Sequence, residues 1–81
     1  MGESDEGKII GEIKKDDENI LRFAVKEYKN KEYFDIRLYF RDRKGHFFPT
    51  QKGITLSKKS LPLAIQYCQQ AVAVLEGEEP F

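Results

Sequence analysis

The chain has 81 residues, 40% of them apolar, and its fourteen Lys and Arg are balanced by fourteen Asp and Glu. A core of that size supplies only about 3–5 kcal/mol, and a single cysteine, Cys68, excludes a disulfide framework and a thiolate metal cage. No apolar run approaches the ~18 residues of a bilayer span, and the opening Met1-Gly2-Glu3-Ser4-Asp5-Glu6 is acidic, unlike a secretion signal; the expectation is one soluble domain of a reducing compartment that gains stability by oligomerising.

Residues 1–7 have the composition of a disordered acidic tail. Lys8 to Lys14 alternates weakly around Ile9, Ile10 and Ile13 and reads as a short strand, and Lys15-Asp16-Asp17-Glu18-Asn19 reads as a polar turn. Ile20 to Tyr28 alternates clearly, with Leu21, Phe23 and Val25 on one side and Arg22, Ala24, Lys26 and Tyr28 on the other, which predicts a half-buried strand. Lys29-Asn30-Lys31 is a tight connection, and Asn tolerates a positive φ.

Glu32 to Arg41 is the strongest strand. Phe34, Ile36, Leu38 and Phe40 point to the expected core, and Tyr33, Asp35, Arg37, Tyr39 and Arg41 point away. After the turn Asp42-Arg43-Lys44-Gly45, a fourth strand runs from His46 to Leu56, interrupted by Pro49 and Gly53, which mark an edge or bulge and a bend. Leu61, Ala64, Ile65, Cys68, Ala71, Val72 and Leu75 then follow helical spacing. Pro62 belongs in the first turn, which makes Ser60 the expected N-cap with Ser57 the alternative, and Gly77 ends the helix.

The expected fold is therefore α+β: a curved antiparallel sheet of four strands followed by one C-terminal helix (ββββα), forming a single domain over 8–76 with an acidic tail at 77–81. The helix is apolar over a wider arc than one sheet face needs, so one arc is expected to cover the sheet and the rest a second copy. The dimer contact is assigned to Leu61, Ile65, Cys68, Val72 and Leu75.

The zero net charge conceals a segregation. Residues 1–18 carry seven acids against three lysines, whereas residues 19–75 carry eleven Lys and Arg against four acids, a net +7. Such a zone favours an anionic partner. On strands two and three the non-core face interleaves Arg22, Lys26, Arg37 and Arg41 with Tyr28, Tyr33 and Tyr39. Cations neutralise phosphates and rings stack unpaired bases, a combination suited to single-stranded nucleic acid. Tyrosines also populate exposed strand faces for cross-strand packing alone, and alternation does not separate the two readings.

A resemblance does. Arg22 to Arg37, with its aromatic-Lys-x-Lys turn (Tyr28-Lys29-Asn30-Lys31) and its Asp35-Ile36-Arg37, resembles the second and third strands of the positive cofactor four family of transcriptional coactivators. Asp42-Arg43-Lys44-Gly45 and Pro49-Thr50-Gln51-Lys52-Gly53-Ile54-Thr55-Leu56 are similar to the turn and strand that follow in that family. The resemblance implies a helix-mediated homodimer whose sheets hold single-stranded DNA without sequence preference; RNA stays open as a ligand because a stacking groove need not sense the 2′-hydroxyl, and proteins of the transcription machinery are the partners of the rival, protein-docking reading. By position the resemblance implies that Tyr28 stacks, that Lys29 and Lys31 contact phosphate with Lys26 a basic position just before them, that Arg37 is the arginine of the Asp-Ile-Arg strand, that Phe40 stands for the family's groove tryptophan, and that Lys52-Gly53 completes the site, the glycine letting backbone approach the ligand. The expected mechanism is electrostatic capture by Lys26, Lys29, Lys31, Arg37 and Lys52 followed by stacking on Tyr28 and Phe40.

Strict alternation puts Phe40 on the core side, so its role requires a bulge or strand end there, with Tyr39 as the fallback. Phe48, Gln51 and Asn19 replace basic residues of the eukaryotic pattern, and Ser4 is the only serine before residue 57, so the chain is similar to the short prokaryotic type.

No catalytic role is expected. His46 lies beside a turn without a suggestive neighbour, Asp35 is expected to pair with Arg37, Arg22 or a turn N–H, and no phosphate loop, metal cluster or nucleophile elbow occurs. No cofactor, metal or membrane association is expected. Localisation would be cytoplasmic and nucleoid-associated in a prokaryote, nuclear in a eukaryote. The acidic ends read either as solubilising tails or as segments that fold over the basic groove and compete with DNA. The rival function is a protein-interaction module docking an acidic partner.

Overall fold

Strands β1 (Lys8–Lys14), β2 (Asn19–Tyr28), β3 (Lys31–Arg41) and β4 (Phe47–Ser57) form an antiparallel sheet in the order β1-β2-β3-β4, followed by helix α1 (Leu61–Leu75). The computed structural model describes residues 7–77, so the acidic-tail expectations lie outside the described residues apart from Gly7 and Gly77. Every strand falls within one residue of its expected bounds.

Each turn is made by local chemistry. Between β1 and β2, Asp16 Oδ1 accepts the backbone N–H groups of Glu18 and Asn19, both at 2.9 Å. The Glu18 N–H, followed by the Asn19 side chain, holds the Asp16 carboxyl below its ordinary value. Between β2 and β3, Tyr28 pairs with Lys31 around Lys29 (φ 52°) and Asn30 (φ 66°). Two positive φ values in a two-residue loop make a type I′ turn, whose twist matches the flanking strands. Asn is suited to that conformation; Lys29 holds it at a cost on the order of 1 kcal/mol. Between β3 and β4, Asp42 Oδ1 accepts the N–H groups of Lys44 and His46 at 2.9 Å, and Gly45 (φ 89°) closes the turn.

The helix begins after Ser60 with Pro62 in its first turn. The Ser60 hydroxyl makes no capping bond because the residue already has helical dihedrals. Ser57 satisfies this end instead, its carbonyl and hydroxyl oxygens accepting the Ser60 N–H at 3.1 and 3.2 Å. Gly77, at φ 80°, donates its N–H to the Val74 carbonyl and ends the helix.

Two irregularities shape the sheet. β1 slips register between Ile9 and Gly11, and β4 inserts extra residues between its partners of Arg37 and Tyr39. β3 itself is unbroken through Arg41, pairing Asn19↔Phe40 on one side and Phe40↔Phe48 on the other.

The burial differs from the expectation. The face of Leu21, Phe23, Phe34 and Leu38 is only half-buried, and Ile54, Phe40 and Phe48 on it are exposed. The enclosed residues, Ile20, Ala24, Asp35 and Tyr39, all lie on the opposite, polar face. The reason is the helix, which does not fold back as a lid. Leu61 shares a small apolar cleft of about 180 Å³ with Val25 and Phe34, but no helix residue is buried, and Ile65, Cys68, Val72 and Leu75 are exposed. The Cα radius of gyration is 15.0 Å, against about 12 Å for a compact chain of this length.

Candidate nucleic-acid interface

At the centre of the polar face is a carboxylate. Asp35, 4% exposed, lies opposite Ala24 on β2 and Thr55 on β4. Arg37 donates to it twice, through Nη2 to Oδ1 at 2.9 Å and Nε to Oδ2 at 3.1 Å. Lys26 Nζ lies 3.2 Å from Oδ2, and the Thr55 hydroxyl donates to Oδ1 at 3.1 Å. Three strands are thereby tied to one group. Burial pushes the Asp35 carboxyl up, but the bonds from Arg37 and Lys26 outweigh it and hold the group below the ordinary value. The same pairing raises the Arg37 guanidinium further above its already high value.

The expected Asp35–Arg37 pair is thus present, while Arg22 is engaged elsewhere. Arg22 Nε donates to Glu12 Oε2 at 2.7 Å, and its guanidinium lies over the Tyr39 ring. Bidentate and charge-assisted pairs of this kind are the stronger hydrogen bonds of a surface.

Arg37 also reaches β4, its Nη1 donating to the Thr50 carbonyl at 3.1 Å within the bulge. The Thr50 hydroxyl donates to the Leu38 carbonyl at 2.8 Å and accepts the Lys52 N–H at 3.1 Å. Gly53 is required here for an intramolecular reason. A Cβ on it would stand 2.6 Å from the Ile36 carbonyl oxygen and 3.0 Å from Arg37 Cζ. The close approach expected from the sequence is therefore made by β3 and its arginine.

At the β2–β3 end the chemistry is different. Tyr28 is 64% exposed, and Lys29 Nζ stands 5.4 Å from its ring centre. Among the described residues no carboxylate pairs with Lys29, Lys31 or Lys52. A groove of about 330 Å³ lined by Lys26, Tyr28, Tyr33, Asp35 and Thr55 runs from this turn toward the centre of the face. A second cleft of about 520 Å³ shares Tyr33 and adds Lys31, Lys58 and Lys59, with Glu27 and Glu32 also on its walls.

The structure thus brings Lys26, Tyr28, Lys29, Lys31, Arg37 and Gly53 onto one face or its rim, with Lys52 exposed on the adjoining bulge. It does not bring Phe40 there. Because β3 keeps its alternation, Phe40 projects from the other face beside Phe48. The irregularity that its role required lies in β4 instead. Tyr39 does not substitute for it, since it is 2% exposed beneath Arg22. Sequence reasoning missed Thr50, Thr55, Lys58 and Lys59; alternation from Gly53 would have placed Thr55 opposite Asp35, but nothing in the sequence gives the bulge its length. Among the described residues no group of three or more His, Cys, Asp or Glu could hold a metal, and no helix is long and apolar enough to cross a membrane.

Comparison with known proteins places this geometry. The family described as Transcriptional Coactivator p15 (PC4) matches residues 15–62, more than half of the chain. A PC4 homologue from Burkholderia pseudomallei, in its orthorhombic crystal form, superposes with a TM-score of 0.79 at 32% identity, covering 88% of this chain and 96% of that one. Its tetragonal form gives 0.76 at 33% identity over 82% and 97%. A bacteriophage T5 homologue of PC4, implicated in recombination-dependent DNA replication, shares the fold, with a TM-score of 0.61 at 20% identity over 88% of this chain and 80% of that one. No curated protein matches significantly. With its matched segment spanning β2, β3, β4 and their turns, and its sheet-then-helix order shared with these homologues, the chain belongs to the PC4 family of transcriptional coactivators.

Proposed function

We propose that the protein binds single-stranded DNA without sequence preference, as a homodimer, in a coactivator-like role in transcription, replication or repair. The observation that carries this reading is the Tyr28–Lys31 turn, which holds an exposed ring and two lysines without carboxylate partners at the mouth of a groove on the polar face. An unpaired base stacks on Tyr28, an interaction worth about 1–3 kcal/mol for any base. Lys29, Lys31 and Lys52 neutralise phosphates and release counterions. Lys26 and Arg37 are both held by Asp35, so they add positive charge to this face from fixed positions, Lys26 on the wall of the groove itself. A duplex has its bases stacked internally and offers nothing to Tyr28.

The dimer is supported by the uncovered apolar surface of the helix and of the β3–β4 face; Leu75 on the helix is 85% exposed. Isolated domains rarely leave patches of that kind unpartnered. A second copy, docking helix and sheet face, covers both at once.

The test is fluorescence anisotropy with a mixed-sequence strand of about 20 nucleotides and its duplex at two salt concentrations. The expected result is clear preference for the single strand with affinity falling as salt rises. Binding of neither form at low salt would hand the function to a protein-docking role.

A further inference from the structure

We infer that Asp35, Arg37 and Thr50 are positioning residues that hold Lys52 in place on the nucleic-acid face; the inference rests on the single-strand reading and assigns a role within that site. The link is a continuous set of bonds. Asp35 fixes the Arg37 guanidinium through two parallel contacts. Arg37 Nη1 then holds the Thr50 carbonyl, and the Thr50 hydroxyl is anchored on the Leu38 carbonyl while accepting the Lys52 N–H. Thr50, Gln51 and Lys52 are the residues of β4 that have no partner in the β3 register. Side-chain bonds tie this segment to β3.

The arrangement also decides what Arg37 does. A guanidinium has five N–H donors, and three are committed within the protein. Its guanidinium carbon lies over Gly53, 3.0 Å from where a Cβ would stand. Arg37 therefore serves the site as a strut, and the phosphate contact belongs to the exposed lysine that the strut holds. Thr50 is the most selective place to test this, because it carries no charge and its hydroxyl serves Leu38 and Lys52 together.

The salt dependence of single-strand binding is the discriminating readout, since a neutral substitution that merely loosens the fold does not change the number of phosphates neutralised. Lys52→Ala should lower the slope of log affinity against log salt by about 0.7, one phosphate on a single strand. Thr50→Val, which removes the hydroxyl and no charge, should lower it by a similar amount, Thr50→Ser should restore it, and Thr50→Val with Lys52→Ala should lose no more than Lys52→Ala alone. Arg37→Lys, which keeps the charge and loses the fork, should behave like Thr50→Val and covers the case in which Thr50→Val does not fold. A wild-type slope in Thr50→Val or, should that variant not fold, in Arg37→Lys, or a double variant that loses the sum of the two singles, would overturn the inference while leaving single-strand binding intact. A wild-type protein that binds no strand overturns the parent reading and this one with it.

Discussion

The Arg22 guanidinium carbon stands 4.2 Å from the centre of the Tyr39 ring while its Nε is bonded to Glu12 on β1. One residue of β2 therefore clamps an edge strand to a buried tyrosine of β3. The arrangement explains why a tyrosine on the polar face of the sheet is no stacking platform. Its face is already occupied by a cation of the same chain.

Tyr28 and Tyr39 should accordingly separate stability from binding. Tyr39→Ala is expected to cost about 3 kcal/mol or more in folding free energy, as truncations of large buried rings do. Tyr28→Ala should leave the unfolding midpoint nearly unchanged and weaken single-strand binding by about 1–3 kcal/mol. Chemical denaturation and anisotropy on both variants check the pair. A Tyr39→Ala protein of full stability would contradict the burial described above.

Lys29 lies in the turn and Lys31 closes it, and among the described residues neither pairs with a carboxylate. Replacing both with alanine should flatten the salt slope of strand binding by about 1.4, at roughly 0.7 for each phosphate no longer neutralised. Equal slopes for wild type and the double variant would remove both lysines from the phosphate path.

The acid limb of the stability profile should include a contribution from Asp35, beside that of the exposed Asp16. The Asp35 carboxyl is held below the ordinary value of 3.8 in the folded chain. A depressed carboxylate contributes its stabilisation fully above the unfolded value and loses it as pH falls through the folded one. Thermal midpoints of the wild type should therefore fall steeply below about pH 4. Asp35→Asn should start lower at neutral pH and show a shallower acid decline. Parallel acid limbs in the two proteins would leave Asp35 without a part in the acid decline.

The helix supplies the test of association. Ile65→Glu or Val72→Glu puts a charge on a face that is exposed in the single chain, so neither change should disturb the protomer's own packing. Sedimentation should nevertheless shift from dimer to monomer, with a lower melting temperature that no longer depends on protein concentration. A stable dimer in both variants would mean that the interface lies away from this helix face.

Much of the fold is legible in the sequence because the strands obey a period of two and the turns carry their own signals. Asn30 marks the tight turn, Asp42 and Gly45 the next, and Pro62 the start of the helix. The candidate site is legible where its geometry depends on local order, as in the turn that gathers Tyr28, Lys29 and Lys31. It is not legible where it depends on what covers what. The apolar stripe of β3 reads as core because a monomer would need one, yet the helix leaves it open, and the tight packing arises among Ala24, Asp35 and Tyr39. Its place in a motif assigns Phe40 to the groove, whereas an unbroken β3 turns it to the other side. The pairing of Arg37 with Thr50 depends on the length of a bulge, which Pro49 and Gly53 bracket without measuring.

Both outer strands of the sheet are interrupted: β1 by its slip near Gly11, and β4 by its looped-out residues beside Pro49, which has no N–H to offer. An open sheet ordinarily invites a neighbour's strand to zip onto its rim. Here neither rim presents an even row of donors and acceptors, so the ladder cannot run on from one molecule into the next. A chain with so much apolar surface uncovered thereby carries a guard against edge-to-edge growth into fibres.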